Sequence, residues 1–184
     1  NFTIALGTFS GGVAGSITGT QIKLHDYGAN NLPFWFNNEI SDKPIMGVVM
    51  LHEVLHGLGL DSPDDFQGTN ATIQYRALVQ TLTNTTTQQF PPVEDSGGSG
   101  TAGAHFEEGP GGSGGVGTAN GNKYIFPNEI MTSQLSAANF ITAMTLGALH
   151  DKGFGVNYNS EHVFTPTAPL VNGHVFTIIA PSNT

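Results

Sequence analysis

The chain has 184 residues, enough for one compact domain or two small lobes, and its formal net charge of −9 argues against nucleic acid or an anionic membrane surface as a partner. It has no cysteine, which excludes disulfides, thiolate zinc sites and cysteine nucleophiles. Charged residues make up only 10% of the chain, and its composition, rich in glycine, threonine and asparagine, favours a secreted or cell-surface protein.

The N-terminal part of the chain is predicted to form strands and turns. Apolar side chains alternate with small or polar ones from Phe2 to Gly7, the period of two that a half-buried strand shows. A second extended run is predicted over Ile17 to Tyr27, after a glycine-rich turn. The aromatic cluster Phe34-Trp35-Phe36 that follows is either a short edge strand or a loop.

A helix is predicted over Lys43 to Leu58, with Asp42 as its N-cap and Pro44 in its first turn. Apolar residues and two histidines recur in it at helical spacing: Ile45, Val48, Val49, His52, Leu55 and His56. Gly57 and Gly59 supply the residues that end a helix. The longest apolar stretch of the chain, Ile45 to Leu51, is seven residues and too short to span a membrane.

Two further helices are predicted from the same periodicity. One covers Ala71 to Leu82, capped by Thr69 or Asn70. The other covers Ala137 to Lys152, with Ser136 as its N-cap, and it is predicted to end at Gly153 directly after it.

The remaining segments are predicted to be a loop and a hairpin. Eleven of the 25 residues from Gly97 to Gly121 are glycine, which is too many for a regular element. The tail from Leu170 to Ala180 is predicted to form a hairpin that turns at Asn172-Gly173, a strong hairpin signal.

The segment His52-Glu53-Val54-Leu55-His56 carries the clearest chemical signal. Helical positions four apart differ by a net rotation of about 40°, so both imidazoles leave one face of the helix. That spacing lets two ring nitrogens reach one zinc ion at about 2.0–2.1 Å each. Glu53 lies on the flank of this face, where it can act as general base and acid in hydrolysis. The competing interpretation is a solvated face with two exposed histidines, which the apolar neighbours disfavour.

A catalytic zinc needs a third protein ligand and an open fourth position. With Gly59, the segment resembles the first eight positions of the metzincin protease signature. At the eleventh position, where most metzincins have their third histidine, this chain has Ser62, a poor zinc ligand. The third ligand is therefore expected from further along the chain.

In this respect the chain resembles the leishmanolysin family of metzincins, in which an insertion separates that glycine from the third histidine. His105, in Gly103-Ala104-His105-Phe106-Glu107, follows such an insertion. Asn128-Glu129-Ile130-Met131-Thr132 resembles the family's Met-turn, and the stretch from Thr145 to Tyr158 resembles the helix and strand after it. The resemblance implies that His105 is the third zinc ligand and that Met131 lies under the metal.

The resemblance also implies an architecture. It predicts a metzincin-like α+β fold with a small upper lobe of sheet and helix over residues 1–59, which includes the active-site helix. An irregular lower lobe over residues 60–184 would hold the third ligand, the Met-turn and a C-terminal helix. Residues after the Met-turn would wall the pocket for the substrate side chain on the leaving-group side: Thr132, Ser133 and Gln134.

The residues themselves leave other third ligands open. One alternative is an acidic trio that also permits a calcium site, although no twelve-residue calcium-loop pattern is present: Asp61, Asp64 and Asp65. In another, His105 is a loop histidine that hydrogen-bonds Glu107 or Glu108, although these glutamates would equally orient its ring toward a metal. Unless one of them is the third ligand, the other histidines are expected to be structural or surface residues: His25, His150, His162 and His174.

The sequence thus predicts a secreted or cell-surface zinc metalloendopeptidase that acts on protein or peptide substrates as a monomer. Zinc would be held by His52, His56 and His105, and Glu53 would be the catalytic general base. Two alternatives remain open. One is a catalytically silent binding domain that keeps zinc as a structural staple, and the other is a structural surface protein in which the motif is coincidental.

Overall fold

The computed structural model of the protein describes residues 3–7, 15–25, 39–40, 43–108, 124–135, 139–160, 163, 170–171 and 174–175. These residues form a small α+β protein with a three-stranded mixed sheet and four helices, and the chain divides into two compact units, Asn1–Gly59 and Leu60–Thr184. Several predicted features lie outside the described residues: the aromatic cluster at 34–36, the N-caps Asp42 and Ser136, residues 109–121 of the glycine-rich stretch, His162 and the turn Asn172-Gly173.

The first unit contains a sheet of three strands, β1 (Thr3–Gly7), β2 (Gly15–Thr18) and β3 (Gln21–His25), in the order β1-β3-β2. Strand β1 is parallel to β3, and β2 is antiparallel to it. The single extended run predicted from Ile17 is therefore wrong. It is a hairpin, because Gly19 adopts a φ of +60° that turns the chain between β2 and β3.

The helix α1 (Ile45–Gly57) follows a short antiparallel pair, β4 (Glu39–Ile40) and β5 (Lys43–Pro44). The predicted helix start at Lys43 is therefore two residues early, since Lys43 and Pro44 are paired in a strand. At the other end, Gly59 has a φ of +96° and its N–H donates to the carbonyl of His56 at 2.8 Å. This glycine ends the helix as predicted.

The core of the first unit lies between α1 and the sheet. Its buried residues are Ile22, Leu24 and Val49, and partly buried apolar side chains pack against them: Ile17, Ile45, Met46, Met50 and Val54. In β3, buried Ile22 and Leu24 alternate with exposed Gln21 and Lys23. This packing fixes which face of α1 is turned toward the sheet.

The second unit is built on the helices α2 (Pro63–Phe66), α3 (Thr69–Thr83) and α4 (Ala143–Asp151). The short helix α2 was not predicted from the sequence. Helices α3 and α4 pack closely at Gly147, where an added Cβ would lie 2.6 Å from the backbone nitrogen of Ala71. A side chain at Gly147 would therefore force the two helices apart.

The N-terminus of α3 is capped from another helix. The predicted caps Thr69 and Asn70 are wrong, because the N-cap is Gly68. The carboxylate of Asp151, at the end of α4, accepts hydrogen bonds from the backbone N–H of Asn70 at 2.9 Å and of Ala71 at 3.0 Å. A negative charge there also interacts favourably with the helix dipole.

The start of α4 differs from the predicted one. The helix begins at Ala143, six residues after the predicted start at Ala137, and its N-cap Thr142 accepts a hydrogen bond from the backbone N–H of Met144. The two residues before Thr142 form isolated bridges instead, Phe140 with Glu129 and Ile141 with Val163. Pairing with these segments is the reason that the apolar periodicity before Thr142 does not become helical.

Near the C-terminus, β6 (Leu170–Val171) pairs antiparallel with β7 (His174–Val175). The predicted hairpin is confirmed in this pairing. Among the described residues, no helix has the length and apolar character needed to cross a membrane.

We expect the substitution Asp151→Ala to lower the free energy of unfolding by about 1–2 kcal/mol, because it removes the acceptor for the first N–H groups of α3. Urea unfolding of both variants measures this. Asp64→Ala, which removes an exposed carboxylate from the same unit, is the control and is expected to change stability by less than about 0.5 kcal/mol. Equal stability of the two variants would contradict the capping role.

Candidate metal centre

Helix α1 places His52 and His56 on one face, as their spacing predicts. Their Nε2 atoms lie 3.0 Å apart, and the two rings meet edge to face with centroids 4.6 Å apart. Two nitrogens bound to one tetrahedral zinc ion at about 2.0–2.1 Å each would be about 3.3 Å apart. Small side-chain rotations would therefore convert this pair into two zinc ligands.

Glu53 lies between these histidines in sequence and is buried, with 5% of its surface exposed. Strand β2 approaches it closely, since a Cβ added to Gly15 would lie 2.9 Å from Glu53 Oε1 and 2.8 Å from Val49 Cγ1. Burial raises the pKa of Glu53 to about 7, because desolvation disfavours the charged carboxylate. A carboxyl group with such a pKa can both accept and donate a proton near neutral pH.

His105 lies in the second unit and is buried, and backbone hydrogen bonds hold the segment around it. Its Nδ1 is 3.0 Å from the carbonyl oxygen of Thr101. If Nδ1–H donates to that oxygen, Nε2 carries the lone pair that a metal requires. The carbonyl of His105 accepts from the N–H of Glu94 at 3.0 Å, and the N–H of Phe106 donates to the carbonyl of Met131 at 2.9 Å.

Among the described residues, two groups of side chains offer ligand atoms that all lie within 4.8 Å of one another. One group consists of His52, His56 and His105, and the other of Glu94, Asp95 and Glu107. The three histidines are the set proposed from the sequence, and imidazole nitrogen is a preferred donor to zinc. The acidic trio considered as an alternative belongs to neither group: Asp61, Asp64 and Asp65.

Asp65 has a local role at the start of α2. Its Oδ2 accepts hydrogen bonds from the backbone N–H and the hydroxyl of Ser62 at 3.0 and 2.7 Å, and its Oδ1 forms an ion pair with Lys152. Partial burial favours a higher pKa, but these hydrogen bonds and the charge of Lys152 outweigh it and hold the pKa of Asp65 below its usual value. Asp61 and Asp64 are exposed.

The segment of the predicted Met-turn is a tight buried turn. Met131 is fully buried, and the N–H and hydroxyl of Thr132 both donate to the carbonyl of Glu129, at 3.2 and 2.8 Å. Phe106 and Thr132 also form a parallel bridge. The turn is therefore hydrogen-bonded to the residue that directly follows His105.

The three residues proposed to wall a substrate pocket differ in exposure. Thr132 is buried, whereas Ser133 is half-buried and Gln134 is exposed. The N–H and hydroxyl of Ser133 donate to the carboxylate of Glu108 at 3.1 and 2.6 Å. Burial and the neighbouring Glu94 raise the pKa of Glu108, although the hydrogen bonds from Ser133 oppose this. A substrate-binding role for these residues stays a prediction.

The other histidines are placed in part. His150 is exposed, with its Nδ1 3.1 Å from the hydroxyl of Tyr158, as expected of a surface residue. His25 and His174 end and begin strands, and His162 lies outside the described residues.

Sequence reasoning missed two contributors to this region. The carbonyl of Thr101 could not be found from residue type, since every residue has one. Glu129 was noticed only as part of the turn, yet it is completely buried. Its carboxylate accepts hydrogen bonds from the N–H of Met131, from the N–H and hydroxyl of Thr142 and from the hydroxyl of Thr145. An acidic residue between the apolar pairs Ile125-Phe126 and Ile130-Met131 was the signal that could have identified it.

Comparison of this chain with models of protein families, with curated proteins and with solved structures gave no match.

We expect Gly15→Ala to lower the free energy of unfolding by about 1–3 kcal/mol, because the new Cβ would overlap Val49 and Glu53 unless the helix shifts. The matched control is Gly47→Ala on the exposed side of α1, where no atom lies within 4 Å of the added Cβ. The free energy of unfolding of the control is expected to rise by up to about 1 kcal/mol, because alanine has a higher helix propensity than glycine. Thermal unfolding measures both, and a Gly15→Ala chain as stable as the control would contradict the close approach of β2.

We expect the protein to become less stable as the pH rises from about 4.5 to 7, in part because of Glu129. Burial raises the pKa of Glu129 to about 7, although hydrogen bonds from Thr145, Met131 and Thr142 oppose this. The folded state then binds a proton in that range that the unfolded chain has released, a difference worth on the order of 3 kcal/mol over the whole range.

Urea unfolding at several pH values measures this dependence, and the variant Glu129→Gln isolates the contribution of Glu129 from those of other buried carboxyl groups. The free energy of unfolding of the variant is expected to fall less than that of the parent between about pH 4.5 and 7. An identical pH dependence of the parent and the variant would show that Glu129 does not titrate in this range.

Proposed function

We propose that this chain is a zinc-dependent endopeptidase of the metzincin type, similar to leishmanolysin, which hydrolyses peptide bonds in protein substrates outside the cell. The observation that supports it most is the set of three imidazoles whose ligand atoms lie within 4.8 Å of one another. Beside two of them in the sequence is a buried glutamate in the position that a general base requires.

The donor set suits zinc better than a hard cation. Imidazole nitrogens bind zinc, whereas calcium and magnesium take oxygen ligands. Three protein ligands leave a fourth position open, as a catalytic site requires and a structural site does not. When bound, zinc supplies Lewis acidity that polarises the scissile carbonyl and makes water a better nucleophile at neutral pH.

The chain's own residues would divide the work of hydrolysis. Glu53 would take a proton from the attacking water and later deliver it to the departing amine. The carbonyl of Thr101, 3.0 Å from Nδ1 of His105, would accept a hydrogen bond from Nδ1–H and so leave Nε2 as the atom that would bind zinc. Thr132, Ser133 and Gln134 would contact the substrate side chain on the leaving-group side.

We expect the parent chain to bind one zinc ion and to hydrolyse casein, and a chelator to abolish both. Glu53→Gln should keep the zinc and lose at least about 100-fold in turnover, because it cannot accept the proton from water. His105→Ala should lose zinc and activity together. Zinc content per chain and casein hydrolysis are the measurements.

The exposed His150 provides the matched control, and His150→Ala should keep both zinc and activity. A parent that binds zinc but cleaves no protein would contradict the protease and support the silent zinc-stabilised domain. An unchanged zinc content in His105→Ala would contradict the proposal that His105 is the third zinc ligand. A parent that binds no zinc would contradict the metal centre itself.

A further inference from the structure

The buried carboxylate of Glu129 joins two parts of the second unit. Its Oε2 accepts the backbone N–H of Met131 at 2.5 Å. Its Oε1 accepts the hydroxyl of Thr142 at 3.0 Å and the hydroxyl of Thr145. One side chain therefore fastens the turn at Met131 to the first turn of α4.

This network continues to the segment of His105. The N–H of Met131 donates to Glu129, and the carbonyl of Met131 accepts a hydrogen bond from the N–H of Phe106 at 2.9 Å. In the same peptide bond, the carbonyl of His105 accepts a hydrogen bond from the N–H of Glu94 at 3.0 Å. The carbonyl of His105 and the N–H of Phe106 belong to the same peptide bond, so the peptide bond that directly follows the imidazole is held at both of its polar groups. One of these two hydrogen bonds leads to Glu129 through a single residue, Met131.

An acidic residue is a costly choice for packing alone. An apolar side chain of similar volume would fill the same space without the cost of removing a carboxyl group from water. A fully hydrogen-bonded buried network does, however, restrict a region to one arrangement. That restriction has value where atoms must be placed accurately, and a metal ligand is such a case.

We propose that Glu129 is a positioning residue, which holds the backbone of Met131 and thereby sets the place of His105 for metal binding. This inference rests on the proposed zinc site. Loss of an outer contact that orients a metal ligand typically weakens metal affinity by about 10–100-fold, and we expect an effect of that size here.

The test compares the parent with Glu129→Gln and Thr145→Val. In Glu129→Gln, an NH₂ group replaces one acceptor oxygen and cannot accept all of the present donors. Thr145→Val is the milder change, since it removes a single hydroxyl donor and keeps the shape of the side chain, and it answers the question if Glu129→Gln does not fold. Asp151→Ala is the control, because it destabilises the same unit at the opposite end of α4.

Titration with Co²⁺ is the first readout, since its visible absorption spectrum reports the ligand geometry that a general loss of stability does not change. We expect Glu129→Gln to bind Co²⁺ about 10–100-fold more weakly and Thr145→Val to show a smaller change in the same direction, both with altered spectra. The control should match the parent in affinity and spectrum.

Hydrogen exchange of the Phe106 amide in the metal-free protein is the second readout. Its protection should fall in Glu129→Gln and stay at the parental level in Asp151→Ala. A parent that binds no Co²⁺ would overturn the proposed function and this inference together. If the parent binds Co²⁺, and folded Glu129→Gln and Thr145→Val bind it with the same affinity and the same spectrum as the parent, this inference alone would be overturned.

Discussion

Helix α1 holds the Nε2 atoms of His52 and His56 3.0 Å apart. At that distance two imidazole nitrogens need a proton or a cation between them, because two lone pairs facing each other repel. His105 adds a third imidazole nitrogen to the set, and we propose that a zinc ion binds there, since a proton bridges two atoms while a zinc ion binds four. The proposed zinc binding and the proposed hydrolysis both depend on this arrangement of donors.

Each unit holds its own histidines in place by different physical means. In the first unit, the sheet packs against α1, and the packing fixes the helix face that carries the histidine pair and buries Glu53 beside Gly15. In the second unit, His105 lies in a segment of turns outside the helices. Hydrogen bonds do the same work there, from Thr101 to the ring of His105 and through Met131 to the buried carboxylate of Glu129.

The sequence predicted the local features well, because they depend on nearby residues. Helical periodicity identified α1 and α3, and the four-residue spacing predicted the histidine pair. Prediction from the sequence failed where residues far apart in the chain determine the local structure. The carboxylate that accepts the first N–H groups of α3 belongs to Asp151, about 80 positions away. Helix α4 begins late because Phe140 pairs with Glu129. The contact of His105 with Thr101 was equally invisible, since a backbone carbonyl has no residue signature.

X-ray absorption spectroscopy at the zinc edge of the purified, metal-loaded protein tests the proposed three-histidine site most directly, because it measures the type and distance of the atoms bound to the ion. We expect three imidazole nitrogens at about 2.0–2.1 Å from the zinc ion and one oxygen from solvent. A spectrum with two imidazoles and carboxylate oxygens, or an ion bound without any imidazole, would contradict this expectation.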